Sequence, residues 1–221
     1  MKAPPTDSAL RKAIIETAQA MSARGLSPGR SGNVSARTAE GMLITPSGVP
    51  YDALKLGDIV PVDFEGRAPP RSLKPSSEWR FHLDAYRART DIGAIVHTHS
   101  RSATALACAR KAIPAFHYMV AVAGGRDIPL VPYATFGTAE LSKHVVAGLQ
   151  QRNACLMANH GQIAVAATPA QALELAAEVE SLAQMYIDVL ALGSPHILSD
   201  AEMDVVIEKF KSYGQNAQRA K

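Results

Sequence analysis

The stretch "AIVHTHS", residues 94–100, ends a short apolar run with two histidines one residue apart. On an extended strand residues i and i+2 project to the same side, so His97 and His99 present two imidazoles to one surface. Two such rings can share a cation, or they can be hydrogen-bonded neighbours, and the pair alone does not decide. His160 stands in a tight Asn-His-Gly turn between apolar runs, a place where loops often carry function. Three histidines meeting at strand ends make an open metal site with room for substrate oxygens. Zinc, manganese and iron all accept imidazole, so ligand type does not choose among them. Glu78 falls in the expected first turn of a helix, where a carboxylate also serves plain electrostatics. A carboxylate can also carry a proton if burial raises its pKa toward neutrality. Ser76 and Ser77 beside it, "SGN" at 31–33 and "TPSG" at 45–48 offer hydroxyls, amides and glycine. Such groups at a helix N-terminus seat a phosphate, although each stretch alone is also an ordinary cap or turn.

Several elements must hold these residues. "DSALRKAIIETAQAMSARGL" reads as a helix: Asp7 or Ser8 can cap it, Leu10, Ile14, Ala18 and Met21 share a face, and Gly25 can end it. A turn at Glu40-Gly41 predicts a hairpin. "PSSEWRFHLDAYRAR" starts another helix, with Trp79, His82, Leu83 and Tyr86 at i, i+3, i+4 and i+7. His82 therefore reads as a satisfied core residue, and His144 and His196 as surface residues. "DIGAIVHTH" is a buried strand, "SATALACARK" and "TAELSKHVVAGLQQ" are helical, and "ACLMANHGQIAVA" makes two strands. The helix "TPAQALELAAEVESLAQMYIDVLALG" has Thr168 as cap and Pro169 at its first position. Helices and strands mix throughout, which gives the α/β class.

The chain has 221 residues, is 47% hydrophobic and shows no linker, acidic run or repeat, so one domain over 1–221 is expected. The net charge of +3 is mild and scattered, unlike the basic stripe of a nucleic-acid binder. No run has the length of a signal peptide or a bilayer span, and Cys108 and Cys155 are too few for a disulfide framework. A cytoplasmic protein with no nucleic-acid or membrane partner fits.

The motifs "SGNVSAR", "MLITPSGVPYDAL", "PSSEWRFH", "VHTHS", "IPAFHYMVAVAGG", "PYATFGTAELS", "NHGQIAV" and "EKFKSYG" occur in this order. In that order they resemble class II aldolases of the class II aldolase/adducin family, most nearly the branch acting on L-fuculose 1-phosphate. The resemblance runs from the first helix to Tyr213. It implies a three-layer α/β/α fold with a central mixed, largely antiparallel sheet, and a C-terminal tail from about residue 214 that is flexible. His97, His99 and His160 match three ligands of one Zn2+ per subunit, with Mn2+, Co2+ or Fe2+ as substitutes. Glu78 matches the catalytic acid/base, which also touches the metal when substrate is absent. Asn33, Ser47, Gly48, Ser76 and Ser77 match the phosphate-binding set. Tyr118 matches a tyrosine that enters a neighbouring subunit's site and protonates the aldehyde oxygen. Phe136 and Tyr213 match the aldehyde side.

The implied activity is reversible cleavage of a ketose 1-phosphate to dihydroxyacetone phosphate and an aldehyde, in a fourfold homotetramer with sites at subunit interfaces. L-Fuculose 1-phosphate, giving L-lactaldehyde, is the first expected substrate; 5-deoxyribulose or 5-methylthioribulose 1-phosphate is the alternative. Ser47 replaces a Thr and Asn159 a His of the fuculose branch. The strand motif is locally nearer L-ribulose-5-phosphate 4-epimerase, but that relative has Asp in place of Glu78 and lacks the segment around Tyr118. An adducin-like binding module would not require the intact histidine set and Glu78.

Overall fold

Strand alternation decides which way the candidate ligands point. The structure, a computed structural model, describes residues 7–28 and 31–210. Its strands are β1 (Asn33–Arg37), β2 (Gly41–Ile44), β3 (Val60–Asp63), β4 (Ala94–Thr98), β5 (Leu130–Val131), β6 (Ala154–Met157) and β7 (Gly161–Ala166). Its helices are α1 (Asp7–Ala23), α2 (Trp79–Ala88), α3 (Arg101–Cys108), α4 (Ala139–Gly148), α5 (Pro169–Leu192) and α6 (Asp200–Phe210). The strands form one sheet in the order β3-β2-β1-β4-β7-β6-β5. Only β5 and β6 pair in parallel; the other neighbours are antiparallel. The expected mixed, largely antiparallel sheet is what the chain forms.

Each sheet face has its own core. Val34, Ala36, Ala94, Val96, Leu156 and Ala164 pack with Ile14 of α1, Leu106 of α3 and Leu182 of α5. Ile95, Cys155, Met157, Ile163 and Val165 face the other way, toward Phe81 and Leu83 of α2 and Val145 of α4. The result is α/β/α, with β4 and β7 in the middle. Helix α6 lies against the 3₁₀ turn Tyr118–Ala123 and adds Met203 to the first core.

Local signals explain most boundaries. Thr168 Oγ1 accepts the Gln171 N–H and Pro169 occupies the first helical position of α5. Gly25 follows α1 with a φ of 70°, a left-handed ending that glycine adopts without strain. The β1–β2 hairpin turns at Glu40-Gly41 as expected. Helix α2 differs by one position. Glu78 is its N-cap rather than a first-turn residue, and its side chain does not cap the helix. The carboxylate is thus free to turn inward. The tail beyond residue 210, including Tyr213, lies outside the described residues.

Candidate functional site

Antiparallel pairing sets Asn33 at the start of β1 opposite His97 near the end of β4. His99 follows two residues later, and the turn from β6 to β7 brings His160 beside both. Asn159 holds this turn with a φ of 54°, a left-handed conformation that asparagine tolerates better than most residues. Gly161 is needed there for closeness: a Cβ would stand 2.4 Å from the Thr98 carbonyl oxygen and 3.0 Å from His99. The three imidazoles lie edge to face, with centroids 4.8–4.9 Å apart.

Ligand atoms of Glu78, His97, His99 and His160 all lie within 4.8 Å of one another. His97 Nδ1 donates to the Gln162 carbonyl at 2.8 Å, so a neutral His97 turns its Nε2 lone pair inward. That Nε2 is 3.0 Å from His99 Nε2 and 3.1 Å from Glu78 Oε2. His160 Nε2 lies 2.9 Å from Glu78 Oε1, yet this buried oxygen has no aligned hydrogen-bond partner. Acceptors gathered so closely repel one another unless positive charge sits among them. Three imidazoles and a carboxylate are a donor set that fits a divalent transition ion.

The four groups also set one another's charge. Burial pushes His97 down, but the Glu78 carboxylate and the Gln162 carbonyl more than reverse this and raise it. Burial, then the charges of His97 and His160, push His99 down to about 3. For Glu78, burial raises the pKa. The charge of His97 and the close nitrogens of His160 and His97 overcome it and hold the carboxyl well below its usual range. The expected rise toward neutrality is therefore corrected: the histidines outweigh desolvation, and the Glu78 carboxylate is held ionised.

A cavity of about 450 Å³ opens beside the cluster. Asn33, Ser47, Gly48, Ser76, Ser77, Glu78, His99, His160 and Phe136 line it. The loop at 45–47 and the segment before α2 are tied together, Ser47 N–H to the Lys74 carbonyl at 3.0 Å and Ser76 N–H to the Thr45 carbonyl at 3.1 Å. This tie gathers two stretches far apart in sequence into one group of hydroxyls and amides. No lysine among the described residues lines the cavity. Tyr118 is 51% exposed and does not line its own chain's cavity.

Sequence reasoning missed Tyr51 and Tyr133, which also line it. Tyr51 donates to the Gly32 carbonyl at 2.6 Å, and burial followed by the Glu78 charge pushes its phenol up to about 12. Both tyrosines follow a proline within quoted motifs, but no spacing rule aims them at the site. His82 is satisfied, as expected, but by polar partners: Ser35 and Asn33. His144 is partly exposed and His196 exposed. No described helix is long and apolar enough to cross a membrane.

Known proteins match along nearly the whole chain. The family model described as "Class II Aldolase and Adducin N-terminal domain" matches residues 12–187. A 5-methylthioribulose-1-phosphate/5-deoxyribulose-1-phosphate aldolase of Rhodospirillum rubrum is 52% identical over 217 residues, 97% of either chain. An L-fuculose phosphate aldolase of Escherichia coli O6:H1 is 51% identical over 206 residues, 93% of this chain and 95% of that one. A solved L-fuculose 1-phosphate aldolase superposes with a TM-score of 0.89 at 39% identity, covering 94% of this chain and 98% of the other. With its three-histidine and glutamate cluster in place, the chain belongs to the class II aldolase and adducin family, among the metal-dependent aldehyde-lyases.

Proposed function

We propose that the protein cleaves a ketose 1-phosphate reversibly into dihydroxyacetone phosphate and a short aldehyde with an apolar end. The carrying observation is the cluster of His97, His99, His160 and ionised Glu78 at the edge of a cavity lined by hydroxyls and amides. The three histidines would hold a divalent cation, zinc in this reading. Once bound, the cation supplies Lewis acidity to the adjacent ketose oxygens.

The chain's own groups do the rest. Ser47, Ser76, Ser77 and Gly48 seat the phosphate through neutral groups, and Asn33 holds Ser76 in place, its two amide hydrogens going to Ser76 and Glu78. Ser76 Oγ already accepts from Asn33 Nδ2 at 3.0 Å and from the Glu78 N–H at 3.3 Å, so its own hydrogen is left to point at an anion. In condensation, Glu78 takes a proton from carbon 3 of dihydroxyacetone phosphate. That carbon then bonds to the aldehyde carbon, and Tyr118 of the partner subunit gives its phenolic proton to the aldehyde oxygen. Cleavage runs the same steps backward. Exposed Tyr118, away from its own cavity, supports a shared site in a homotetramer.

Relatives named for fuculose and for methylthioribulose or deoxyribulose phosphates stand at nearly equal identity. Cleavage of any of these leaves an aldehyde ending in a methyl or methylthio group, and the aromatic rings of Phe136 and Tyr133 suit such an end. L-Fuculose 1-phosphate leads the reading. A cytoplasmic location goes with it, since both cysteines are free thiols. The test is a panel of L-fuculose, 5-deoxyribulose and 5-methylthioribulose 1-phosphates, with dihydroxyacetone phosphate measured before and after chelation. Chelator-sensitive release from at least one is expected. No release from any, with metal bound, rejects the proposal.

A further inference from the structure

Behind the site runs a buried polar seam whose inner members, His82, Ser35 and Tyr86, the reaction as described does not use. Along α2 and its cap, Glu78, His82 and Tyr86 recur every four residues and so share one helix face. Along β1, Asn33, Ser35 and Arg37 recur every two and share one strand face. The two stripes meet. Tyr86 Oη is 2.8 Å from Ser35 Oγ, and Ser35 Oγ is 2.7 Å from His82 Nδ1. His82 Nε2 is 2.5 Å from Asn33 Oδ1, and Asn33 Nδ2 reaches Ser76 Oγ and Glu78 Oε2, both at 3.0 Å. His82, Tyr86 and Ser35 are fully buried.

The direction of every bond follows from one end. Asn33 Nδ2 lies at hydrogen-bond distance from both Glu78 Oε2 and Ser76 Oγ, so the amide turns its NH2 toward them and its carbonyl toward His82. A carbonyl only accepts, so His82 Nε2 must carry a hydrogen. Nδ1 of a neutral ring then accepts from the Ser35 hydroxyl, and Ser35 accepts from Tyr86. Complete burial pushes His82 down to about 3 and keeps the ring neutral. Arg37 closes the far end, donating to the Tyr86 carbonyl and stacking 4.9 Å over its ring.

We infer that His82, oriented by Ser35 and Tyr86, is a positioning residue that locks the Asn33 amide, aiming Glu78 and leaving the Ser76 hydrogen for the substrate's phosphate. The inference rests on the proposed aldolase reading for its consequence, but not for its geometry. Without a donor at the Nε2 position the Asn33 amide is held only at its NH2 end, by Ser76 and Glu78, and loses the contact that fixes its carbonyl. Its carbonyl could then face Glu78 and repel the carboxylate, while Ser76 would lose a donor that fixes its hydroxyl.

The decisive experiment has two arms on the metal-loaded protein. In the first, nitrogen-15 NMR of wild-type protein reads the His82 tautomer from about pH 5 to about pH 8. A hydrogen on Nε2 and none on Nδ1 is expected; a hydrogen on Nδ1 alone, or on both nitrogens, overturns the inference. In the second, His82→Phe keeps the ring's bulk without a donor, and His82→Gln restores an N–H near the Nε2 position. His82→Phe should slow solvent deuterium entry at carbon 3 of dihydroxyacetone phosphate by about 10- to 100-fold and raise KM for the ketose phosphate. His82→Gln should recover most of both. Exchange at the wild-type rate in His82→Phe, or recovery by Gln no better than Phe, overturns the inference. If His82→Phe does not fold, the tautomer decides alone. If the wild-type protein exchanges no proton and cleaves no ketose phosphate, the aldolase reading fails while the tautomer still judges the seam.

Discussion

The two faces of β1 carry opposite chemistry within five residues. Toward α1 and α5, Val34 and Ala36 are fully buried among alanine, leucine and valine. Toward α2, Asn33, Ser35 and Arg37 meet Glu78, His82 and Tyr86 through hydrogen bonds. Apolar packing is non-directional and stabilises roughly in proportion to area. A buried polar seam is directional, and each group left without a partner costs about 1–3 kcal/mol. The first kind of face sets how stable the fold is. The second sets where a carboxylate oxygen stands, which is what chemistry at carbon requires.

The largest effects should come from the polar face. A His97→Ala, His99→Ala double variant should lose bound metal and activity together, with activity falling to the uncatalysed background. Elemental analysis of the purified protein checks this, and full metal retention would end the reading. Glu78→Gln should fold and keep most of its metal, yet slow proton exchange at carbon 3 by about 10²- to 10⁴-fold. Deuterium entering at the normal rate would assign the base to another residue.

The apolar face reaches the chemistry only at its rim. Val120 and Ala121 of the turn Tyr118–Ala123 belong to its core, while Tyr118 itself is exposed. Tyr118→Phe should still exchange the carbon 3 proton but slow carbon–carbon bond making and breaking. Co-expression with Glu78→Gln should return partial aldolase activity, because some hybrid interfaces hold both native residues. Hybrids as inactive as either parent, beside active hybrids with wild-type subunits, would refute the shared site.

Deep in that face the outcome should invert. Leu182 is fully buried on α5. Leu182→Ala should cost about 2–5 kcal/mol of stability by leaving a cavity, with kcat per folded molecule unchanged. A fall in kcat without a fall in denaturation midpoint would show that the two faces are not separable.

The two faces were also unequally legible in the sequence. Periodicity and caps exposed the apolar layer, because burial on Ile14, Ala18 and Met21 repeats with the helix and Thr168-Pro169 marks a start. The metal cluster was half legible. The strand period put His97 and His99 on one side, but joining them to His160 and Glu78 took the ordered motifs. The polar seam was hidden because His82 lies among Phe81, Leu83 and Tyr86 and reads as apolar by spacing. Its partners, Asn33 and Ser35, come from a strand more than forty residues earlier. Short elements such as β3 and β5 escaped for a simpler reason: two to four residues carry too little period to detect.

The smallest expected effect is a slope, and it tests whether the seam keeps His82 neutral. The groups facing the ring are Ser35 and Asn33 by hydrogen bond, with Glu78 and His97 acting through charge. Folded His82 is held at about 3, against an ordinary imidazole near 6.5. Between those values the unfolded chain binds a proton that the folded chain refuses, so stability must fall as pH drops through that window. Above about pH 7 the ring is neutral in both states and contributes no slope. His82→Gln removes this term and leaves the similar one from His99 in place, so the difference between the two proteins isolates His82. Urea unfolding in chelator, which removes metal release as a competing cause, should show wild type losing stability faster than the variant. The gap should grow by up to about 1.4 kcal/mol per pH unit from about pH 6 downward. Parallel slopes would mean that His82 takes up its proton in the folded state and that the seam does not hold it neutral.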